Sequence, residues 1–389
     1  MTRLSTTENN SIQYATTGDE NLNLFSRIGG MRNSSYNQIM TKFESAFREN
    51  PELATRISFW VRAARKGSGE RKTFHIILKE IATQSPQFVS DNASLIAELG
   101  YWKDLLPYFY IDGVVNTFTI AIKSKDRLAC KWAPRKGKNA HKLRDSLGFT
   151  NKEYRVWIKE NSQTVEQDMS NKLWDNISYS SVPGSAMRRY GKSFDKRDRK
   201  RFTEWKEDKT STASVSASYP HEIVKMGMDM SDGWDVESRH DADWDLIQKL
   251  WDNLPDFIKP GENILPMIDV SGSMCGLPME VAISLGLYLS ERNKGSFKDT
   301  FLTFNDVPEL IKLSNLHLQD KLTKISNSSW GMNTNFEKSY NLILDTATSF
   351  NVSQEDMPTM LLVLSDMQFD ASQNGRNRPH LELIRKRFE

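Results

Sequence analysis

The chain has 389 residues, of which 38% are hydrophobic and 26% charged, and its net charge is +2. This is enough apolar material for packed cores in two or three domains, which excludes a wholly disordered chain. Two cysteines, Cys130 and Cys275, exclude a disulfide framework and a cysteine-based zinc site. The polar N-terminus lacks the apolar core of a signal peptide, and no run of about 18 apolar residues predicts a transmembrane helix. We therefore expect a protein of the reducing cytoplasm without membrane contact.

Residues 1–20 are polar and predict a flexible N-terminal arm. Beyond them, apolar residues recur at helical spacing, as in MTKFESAFRENPELATRISFWVRAAR (40–65). Pro51 is expected to separate two helices, and the glycine-containing stretch KGSGERK (66–72) to end the second. Helices of this length joined by short turns predict an antiparallel helical domain over 21–206, of which a stacked helical-repeat solenoid is one form.

A strongly basic part of the chain lies at 123–209, which holds 23 Lys and Arg residues against 12 Asp and Glu residues. Clustered cations neutralise phosphates, and interleaved aromatic residues such as Trp132, Tyr154, Trp157 and Tyr190 could stack on bases. The alternative is that the Trp side chains belong to the core and the charges form a solvated face. If this part binds RNA, the expected contacts are Arg71, Lys72, Lys131, Arg135, Lys136, Lys138, Arg188, Arg189 and Lys192.

Residues 207–261 begin with a Ser-rich stretch, followed by a Trp-containing helical pattern, and predict a linker with connecting helices. Over 262–389 the pattern alternates between apolar strands and helices, in the order β–α–β–β–α–α–β–α. The apolar runs ILPMI (264–268) and TMLLVLSD (359–366) predict buried strands. Such alternation predicts an α/β sheet with helices on both faces.

A candidate metal site follows the first of these strands. Asp269, Ser271 and Ser273 alternate along a strand-to-helix loop and can turn three oxygens toward one point. Thr334 opens a predicted helix and Asp366 ends the last apolar strand, so we expect both at the same edge of the sheet. Oxygen ligands of this kind suit Mg²⁺ or Mn²⁺, and direct hydroxyl ligands leave the ion able to accept a partner's carboxylate. The alternative is that Asp269 to Ser273 form a turn with a helix N-cap.

The pattern DxSxS, followed by Thr and then Asp, resembles the metal-ion-dependent adhesion site (MIDAS) of von Willebrand factor A (vWA) domains. The resemblance implies that Ser271, Ser273 and Thr334 contact the metal directly, while Asp269 and Asp366 act mainly through water. GSGERK, ELGYWKDLL, KWAPRK, NKEYR, VPGSAMRRYGKSF and YPHE resemble an uncharacterised vWA-bearing family, found in viruses and plants among others, that is related to the Ro ribonucleoproteins (TROVE plus vWA). This second resemblance implies a HEAT-like helical domain that binds small structured RNAs, followed by a Rossmann-like vWA domain.

A vWA sheet has further strands after the one that ends at Asp366, whereas this chain stops at Glu389. We therefore expect a multidomain α plus α/β protein whose vWA domain is truncated at its C-terminus, completed by another chain, or short in itself. The predicted function is binding and not catalysis, since Ser271 has no G-x-S-x-G elbow and no evident His partner. RNA is expected on the helical domain, and a protein carboxylate on the metal. The alternatives are a metal-dependent protein scaffold without an RNA role and, third, a metal-dependent nuclease.

Overall fold

In the computed structural model, the described residues are 4–6, 12–14, 16–215, 218–229, 237–259, 261–269, 274–304, 307–327 and 336–366. The chain divides into two compact units. One comprises residues 16–177, and the other begins at residue 178 and includes an N-terminal hairpin of Leu4–Thr6 (β1) and Ile12–Tyr14 (β2). The second unit thus begins earlier in the chain than the α/β domain expected from residue 262, and the expected N-terminal arm contains two paired strands.

The first unit is an array of helices, as the apolar periodicity predicts. They are α1 (Glu20–Ile28), α2 (Tyr36–Glu49), α3 (Pro51–Arg62), α4 (Lys72–Gln84), α5 (Pro86–Asp91), α6 (Ala93–Leu99), α7 (Asp112–Lys123), α8 (Arg127–Trp132), α9 (Gly137–Leu147), α10 (Asn151–Ser162) and α11 (Val165–Ser170). A 3₁₀ segment, Trp102–Tyr108, lies between α6 and α7. Together these helices enclose two hydrophobic cores.

Local signals set the helix boundaries of this unit. The Asn50 side chain accepts a hydrogen bond from the Leu53 backbone N–H at 3.0 Å, and Pro51 takes the first position of α3. The predicted break between two helices at Pro51 is therefore confirmed. Thr150 and Glu153 form a reciprocal capping box at the start of α10, which satisfies backbone donors that no helical carbonyl reaches.

The second unit combines helices with a four-stranded sheet. Its first part contains α12 (Gly184–Arg197), α13 (Arg199–Glu207), α14 (Pro220–Gly227), the short pair β3 (Met228–Asp229) and β4 (Glu237–Ser238), and α15 (Trp244–Asp252). The sheet region follows with β5 (Ile264–Asp269), α16 (Leu277–Arg292), β6 (Thr300–Phe304), β7 (Glu309–Lys312), α17 (Leu318–Ser326), α18 (Phe336–Ser349) and β8 (Met360–Leu364). This order confirms the predicted alternation as far as β8, and the last predicted helix lies outside the described residues. Among the described helices, none has the length and apolarity needed to cross a bilayer.

The sheet has the strand order β7-β6-β5-β8, with β5 parallel to both of its neighbours and β7 antiparallel to β6. All six residues of β5 are buried. Pro266 is unusual in a central strand because it has no N–H to donate, but β6 pairs with β5 only from Met267 onward. Pro266 therefore lies where β5 has one neighbour, β8. The chain moves from β5 to β6 on one side and places β8 on the other, so the strand order reverses at β5. The carboxyl end of such a strand is where open α/β sheets commonly bind ligands.

Helix α16 packs closely on the sheet because residue 286 is a glycine. A Cβ atom at Gly286 would lie 2.5 Å from Ile268 Cδ1 and 2.8 Å from Phe301 Cε2. Both of these neighbouring side chains are fully buried and have little room to move. The missing side chain thus allows the helix that follows β5 to approach the strand that carries Asp269.

Candidate functional site

The carboxyl ends of β5 and β8 carry two of the predicted metal ligands. Asp269 is the last residue of β5 and is fully buried. The Ser365 hydroxyl, directly after β8, donates a hydrogen bond of 2.6 Å to Asp269 Oδ2. Asp366 follows it and is exposed. The parallel register, with Ile268 opposite Leu364, sets these residues at the same edge of the sheet, which we call the carboxyl edge.

The three predicted hydroxyl ligands, Ser271, Ser273 and Thr334, lie outside the described residues. Their convergence with Asp269 stays a prediction. Within the described ranges, no three His, Cys, Asp or Glu side chains gather into a metal-binding group. A site for Mg²⁺ or Mn²⁺ at the carboxyl edge stays a prediction that depends on those three hydroxyls, since carboxylate and hydroxyl oxygens together are the donor type that these hard ions take. Ser365 was not among the predicted ligands, although its place in LSD at the end of an apolar strand was a usable signal.

A second candidate site is a basic cleft beside α9 in the first unit. Its walls include Arg135 and Lys136, both predicted to contact RNA, together with His141, Arg144 and Arg155. The cleft has a volume of about 310 Å³, and none of its nine lining residues is acidic. Apart from Arg144, these five side chains form no ion pair with any residue that the structure describes. Arg144 Nη2 lies 2.8 Å from Asp145 Oδ1, whereas Arg135, Lys136 and Arg155 have no acidic partner among the described residues and create a positive potential that favours an anionic ligand.

Contacts between neighbouring segments maintain the shape of the basic cleft. Arg144 Nη1 donates to Asn151 Oδ1 at 2.5 Å, which connects α9 to the start of α10. The Tyr154 hydroxyl donates to the Pro134 carbonyl at 2.8 Å. Burial raises the pKa of Tyr154 to about 12, although the charge of Arg135 lowers it. Tyr154 is only 5% exposed, so it holds α10 in place and is not the base-stacking residue that the sequence suggested.

Two tryptophans of this region have different environments. The ammonium groups of Lys103 and Lys131 lie 5.4 Å and 6.0 Å from the ring centroid of Trp132, which is half-buried. The Trp157 indole N–H instead donates to the Ile122 carbonyl at 3.1 Å. Trp157 packs against the core, as the alternative interpretation expected, but it is half-buried like Trp132, and the Lys125 ammonium lies 5.7 Å from its ring centroid. Part of each indole therefore remains accessible beside a cation.

The predicted RNA contacts of α12 divide into paired and unpaired cations. Arg188 Nη2 lies 2.9 Å from Glu222 Oε1, and the Lys192 ammonium pairs with Asp241. Arg189 is exposed and forms no ion pair within the part of the chain that the structure describes. The exposed Lys138, in the first turn of α9, has the same character. Arg189 and Lys138 are therefore available to an external anion, whereas Arg188 and Lys192 already have acidic partners.

Arg71 and Lys72, also predicted to contact RNA, lie at the start of α4 beside a buried carboxylate. Asp104 is fully buried and Arg62 of α3 is 2% exposed. Arg62 Nε donates a hydrogen bond to Asp104 Oδ2 at 2.7 Å. Arg62 Nη2 lies 2.6 Å from the same oxygen as an ion pair, but its direction is poor for a hydrogen bond. Arg71 Nε and His75 Nε2 lie 3.2 Å and 3.0 Å from Asp104 Oδ1. We call Arg62, Arg71, His75 and Asp104 the Asp104 cluster. Lys72 lies outside this cluster, and its ammonium donates a hydrogen bond of 3.0 Å to the Arg32 backbone carbonyl.

The Asp104 cluster keeps its carboxylate ionised. Burial by itself raises the pKa of Asp104, but the hydrogen bond with His75 and the positive charge of Arg62 outweigh it and hold the pKa below its ordinary value. The Tyr101 backbone N–H adds a hydrogen bond of 3.0 Å. Arg71 therefore has an internal partner even though 49% of its side chain is exposed. The cluster joins α3, α4 and the 3₁₀ segment, and its first role is structural.

Comparison with known proteins relates both candidate sites to sequence families. Residues 7–116 and 114–260 match DUF2828, a domain of unknown function. The chain belongs to the DUF2828 family. Residues 263–389 match a second domain of unknown function, DUF7788, whose match begins one residue before β5 and so includes the carboxyl edge. The uncharacterized protein L728 of Acanthamoeba polyphaga mimivirus is 26% identical over 434 residues, covering 95% of this chain and 74% of that protein.

Proposed function

We propose that this DUF2828 protein binds RNA through the basic surface of its helical unit, in the manner of the Ro-like ribonucleoproteins that its sequence resembles. The observation that carries the proposal is the basic cleft, in which Arg135, Lys136, Arg144 and Arg155 share one small volume with no acidic lining residue. Phosphates are attracted to such a surface, and the release of their counterions adds to the affinity. Lys138 is a further exposed cation of the same unit that RNA can contact, and Arg189 is an exposed cation of the second unit. The proposed activity is binding, without catalysis.

The second part of the proposal concerns the α/β unit. We infer a vWA-type MIDAS at the carboxyl edge that binds Mg²⁺ or Mn²⁺ and, with it, an acidic group of a protein partner. The buried Asp269 at the end of a parallel strand and its 2.6 Å hydrogen bond from Ser365 support this inference. Ser271, Ser273 and Thr334 would hold the ion, which supplies an electrophilic centre for a carboxylate. Ser365 would fix the orientation of the Asp269 carboxylate.

A metal-dependent protein scaffold without an RNA role is the second candidate, and a separate observation favours it. An apolar groove of about 770 Å³ in the first unit is lined by side chains that include Phe59, Trp60, Phe88 and Leu95. Trp60 is 36% and Leu95 39% exposed. Exposed apolar concavities of this size are typical of surfaces that contact other proteins. In this interpretation the basic cleft would be a solvated surface or a contact for an acidic protein.

A salt titration with a small structured RNA separates the two candidates. If Arg135, Lys136 and Arg155 of the basic cleft, together with the exposed Lys138, neutralise four phosphate charges of the RNA, the slope of log affinity against log salt should be about −3, within a range of about −2.8 to −3.6. Raising the salt from about 50 to 200 mM would then weaken binding about 50- to 150-fold. Fluorescence anisotropy of labelled RNA measures this slope directly. No RNA binding even at low salt would reject the RNA function and leave the scaffold.

A matched pair of variants locates the binding surface. Arg135→Gln/Arg155→Gln should make the slope shallower by about 1.4 to 1.8, since two phosphate charges are no longer neutralised. Lys79→Gln/Lys123→Gln removes the same charge from exposed positions of the same unit outside the cleft and should leave the slope almost unchanged. Equal effects of the two double variants would mean that net charge, and not the cleft, attracts the RNA.

A further inference from the structure

The basic cleft combines side-chain charge with the N-terminus of a helix. Gly137, the first residue of α9, has φ +78°, and a Cβ atom there would find nothing within 4 Å. Gly137, Ala140, His141 and Arg144 follow one another along one face of α9 and all line the cleft. The first N–H groups of a helix have no intrahelical acceptor and carry partial positive charge. The open end of α9 therefore adds to the field of the four cations.

The size of the cleft restricts the ligand to a single group. A volume of about 310 Å³ is at the small end of ligand cavities, which run from about 300 to 1,000 Å³. Arg135 and Lys136 come from the segment before α9, Arg144 from the last turn of α9, and Arg155 from α10. Cations that converge from three segments on one small volume suit one concentrated charge better than a row of separate phosphates.

Phosphate groups differ in charge and in access. A phosphodiester within a strand carries one negative charge and has a sugar on each side. A phosphomonoester at an end carries about −1.5 to −2 at pH 7 and is attached on one side only. Its three free oxygens can accept the paired N–H donors of Arg135 and Arg155 together with the ammonium of Lys136. A terminal phosphate therefore matches both the charge and the shape of the cleft better than an internal one.

We propose that the basic cleft is a phosphomonoester site that takes either the terminal phosphate of an RNA strand or the phosphate of a free nucleotide. This inference rests on the proposed RNA-binding function and names the group that the same surface recognises. The Tyr154 hydroxyl is committed to the Pro134 carbonyl, and its ring is buried. Apart from the His141 imidazole, the lining has no other ring, and its remaining donors are charged, so the cleft recognises the phosphate more than the base attached to it.

The test uses forms of one short RNA that differ only in carrying a phosphate or a hydroxyl at the 5′ or 3′ end. Anisotropy at about 150 mM salt should show about tenfold or tighter binding for one phosphate-ended form, because each hydrogen bond to a charged group adds to the affinity. AMP should compete for the site, and adenosine should not. AMP that binds as tightly as the phosphate-ended RNA would identify a free nucleotide as the ligand, while weaker AMP would identify the strand end.

Two variants from different segments of the lining make the result specific. Arg155→Gln and, independently, Arg135→Gln should abolish the preference for the phosphate-ended RNA, whereas Lys123→Gln, outside the cleft, should retain it. Equal affinity of phosphate- and hydroxyl-ended RNA in the wild type would overturn the phosphomonoester site while RNA binding stands. Binding of AMP without any binding of RNA would keep the site and reject the RNA function. Loss of the preference in Lys123→Gln would also overturn the proposal.

Discussion

Replacing Asp104 with alanine removes the carboxylate partner of two arginines, Arg62 and Arg71, and of the His75 ring in the first unit. The largest consequence falls on Arg62, whose guanidinium is 2% exposed and whose Nε donates to Asp104 Oδ2 at 2.7 Å. Breaking a buried pair by deleting one partner costs about 3–5 kcal/mol, because the remaining charge stays buried without compensation. This is a large share of the roughly 5–15 kcal/mol by which domains are stable. The first unit should therefore melt about 6–20 °C lower.

The destabilisation depends on pH in a defined direction. The folded pKa of Asp104 lies below its ordinary value of 3.8, so the unfolded chain binds the proton more readily. The contribution of the carboxylate to the free energy of unfolding is complete when the pH is above the ordinary pKa of 3.8, and it is lost as the pH falls through the folded pKa. The difference in stability between the wild type and Asp104→Ala should thus be full at neutral pH and shrink in acid below about pH 4.

Thermal and urea unfolding of the full chain, combined with hydrogen exchange of peptides from α3 and α4, measures the loss within the first unit. The matched control is Glu52→Ala, which breaks an ion pair with Arg56 whose two side chains are each 75% exposed. It should change stability by less than about 0.5 kcal/mol. Arg62→Met/Asp104→Leu should recover most of the loss, since no buried charge remains. A loss below about 1 kcal/mol for Asp104→Ala, or a double variant no more stable than the single one, would refute this reasoning.

Three further predictions concern the cysteines, α16 and the carboxyl edge. Burial raises the pKa of Cys130 to about 11, and the charge of Asp126 raises it further, whereas Cys275 is exposed. A thiol reagent at pH 8 should therefore modify Cys275 quickly and Cys130 only after denaturation. Gly286→Ala should lower stability in urea by about 1–3 kcal/mol, because overpacking against β5 and β6 outweighs the gain in helix propensity of about 1 kcal/mol. Ser365→Ala should weaken Mn²⁺ binding in calorimetry about 10- to 100-fold, if the carboxyl edge holds the proposed metal.

Each of these has a control within the same chain. Fast modification of both thiols in the folded protein would contradict the burial of Cys130. Gly30→Ala adds the same methyl group where nothing lies within 4 Å, and equal losses for both glycine variants would contradict the packing argument for Gly286. Thr348→Ala removes a hydroxyl that bonds only the backbone of α18, so an equal effect on Mn²⁺ binding would show that Ser365 has no special role.

Local sequence patterns determined most of the element types. Pro51 separates α2 from α3, and the apolar runs at 264–268 and 359–366 form β5 and β8. Caps, helical spacing and apolar runs act over a few residues, so they can be recognised along the chain before its fold is known. Asp269 was placed correctly at the end of a buried strand for the same reason.

Tertiary structure alone decided which side chains meet. Ser365 lies 96 residues from Asp269, and Asp104 lies 42 residues from Arg62. The LSD pattern could have placed Ser365 at the edge of the sheet, but no local pattern names the partner that either residue meets, because each contact arises where distant segments pack side by side.

For the cations predicted to contact RNA, too, the sequence did not determine which side chains they meet. Arg188 and Arg189 are adjacent in the sequence, yet one faces Glu222 and the other is exposed. Conversely, Arg144 and Arg155 joined the basic cleft without having been predicted. The sequence states the charge of each residue, but the packing of the chain determines whether an acid, another cation or solvent lies opposite.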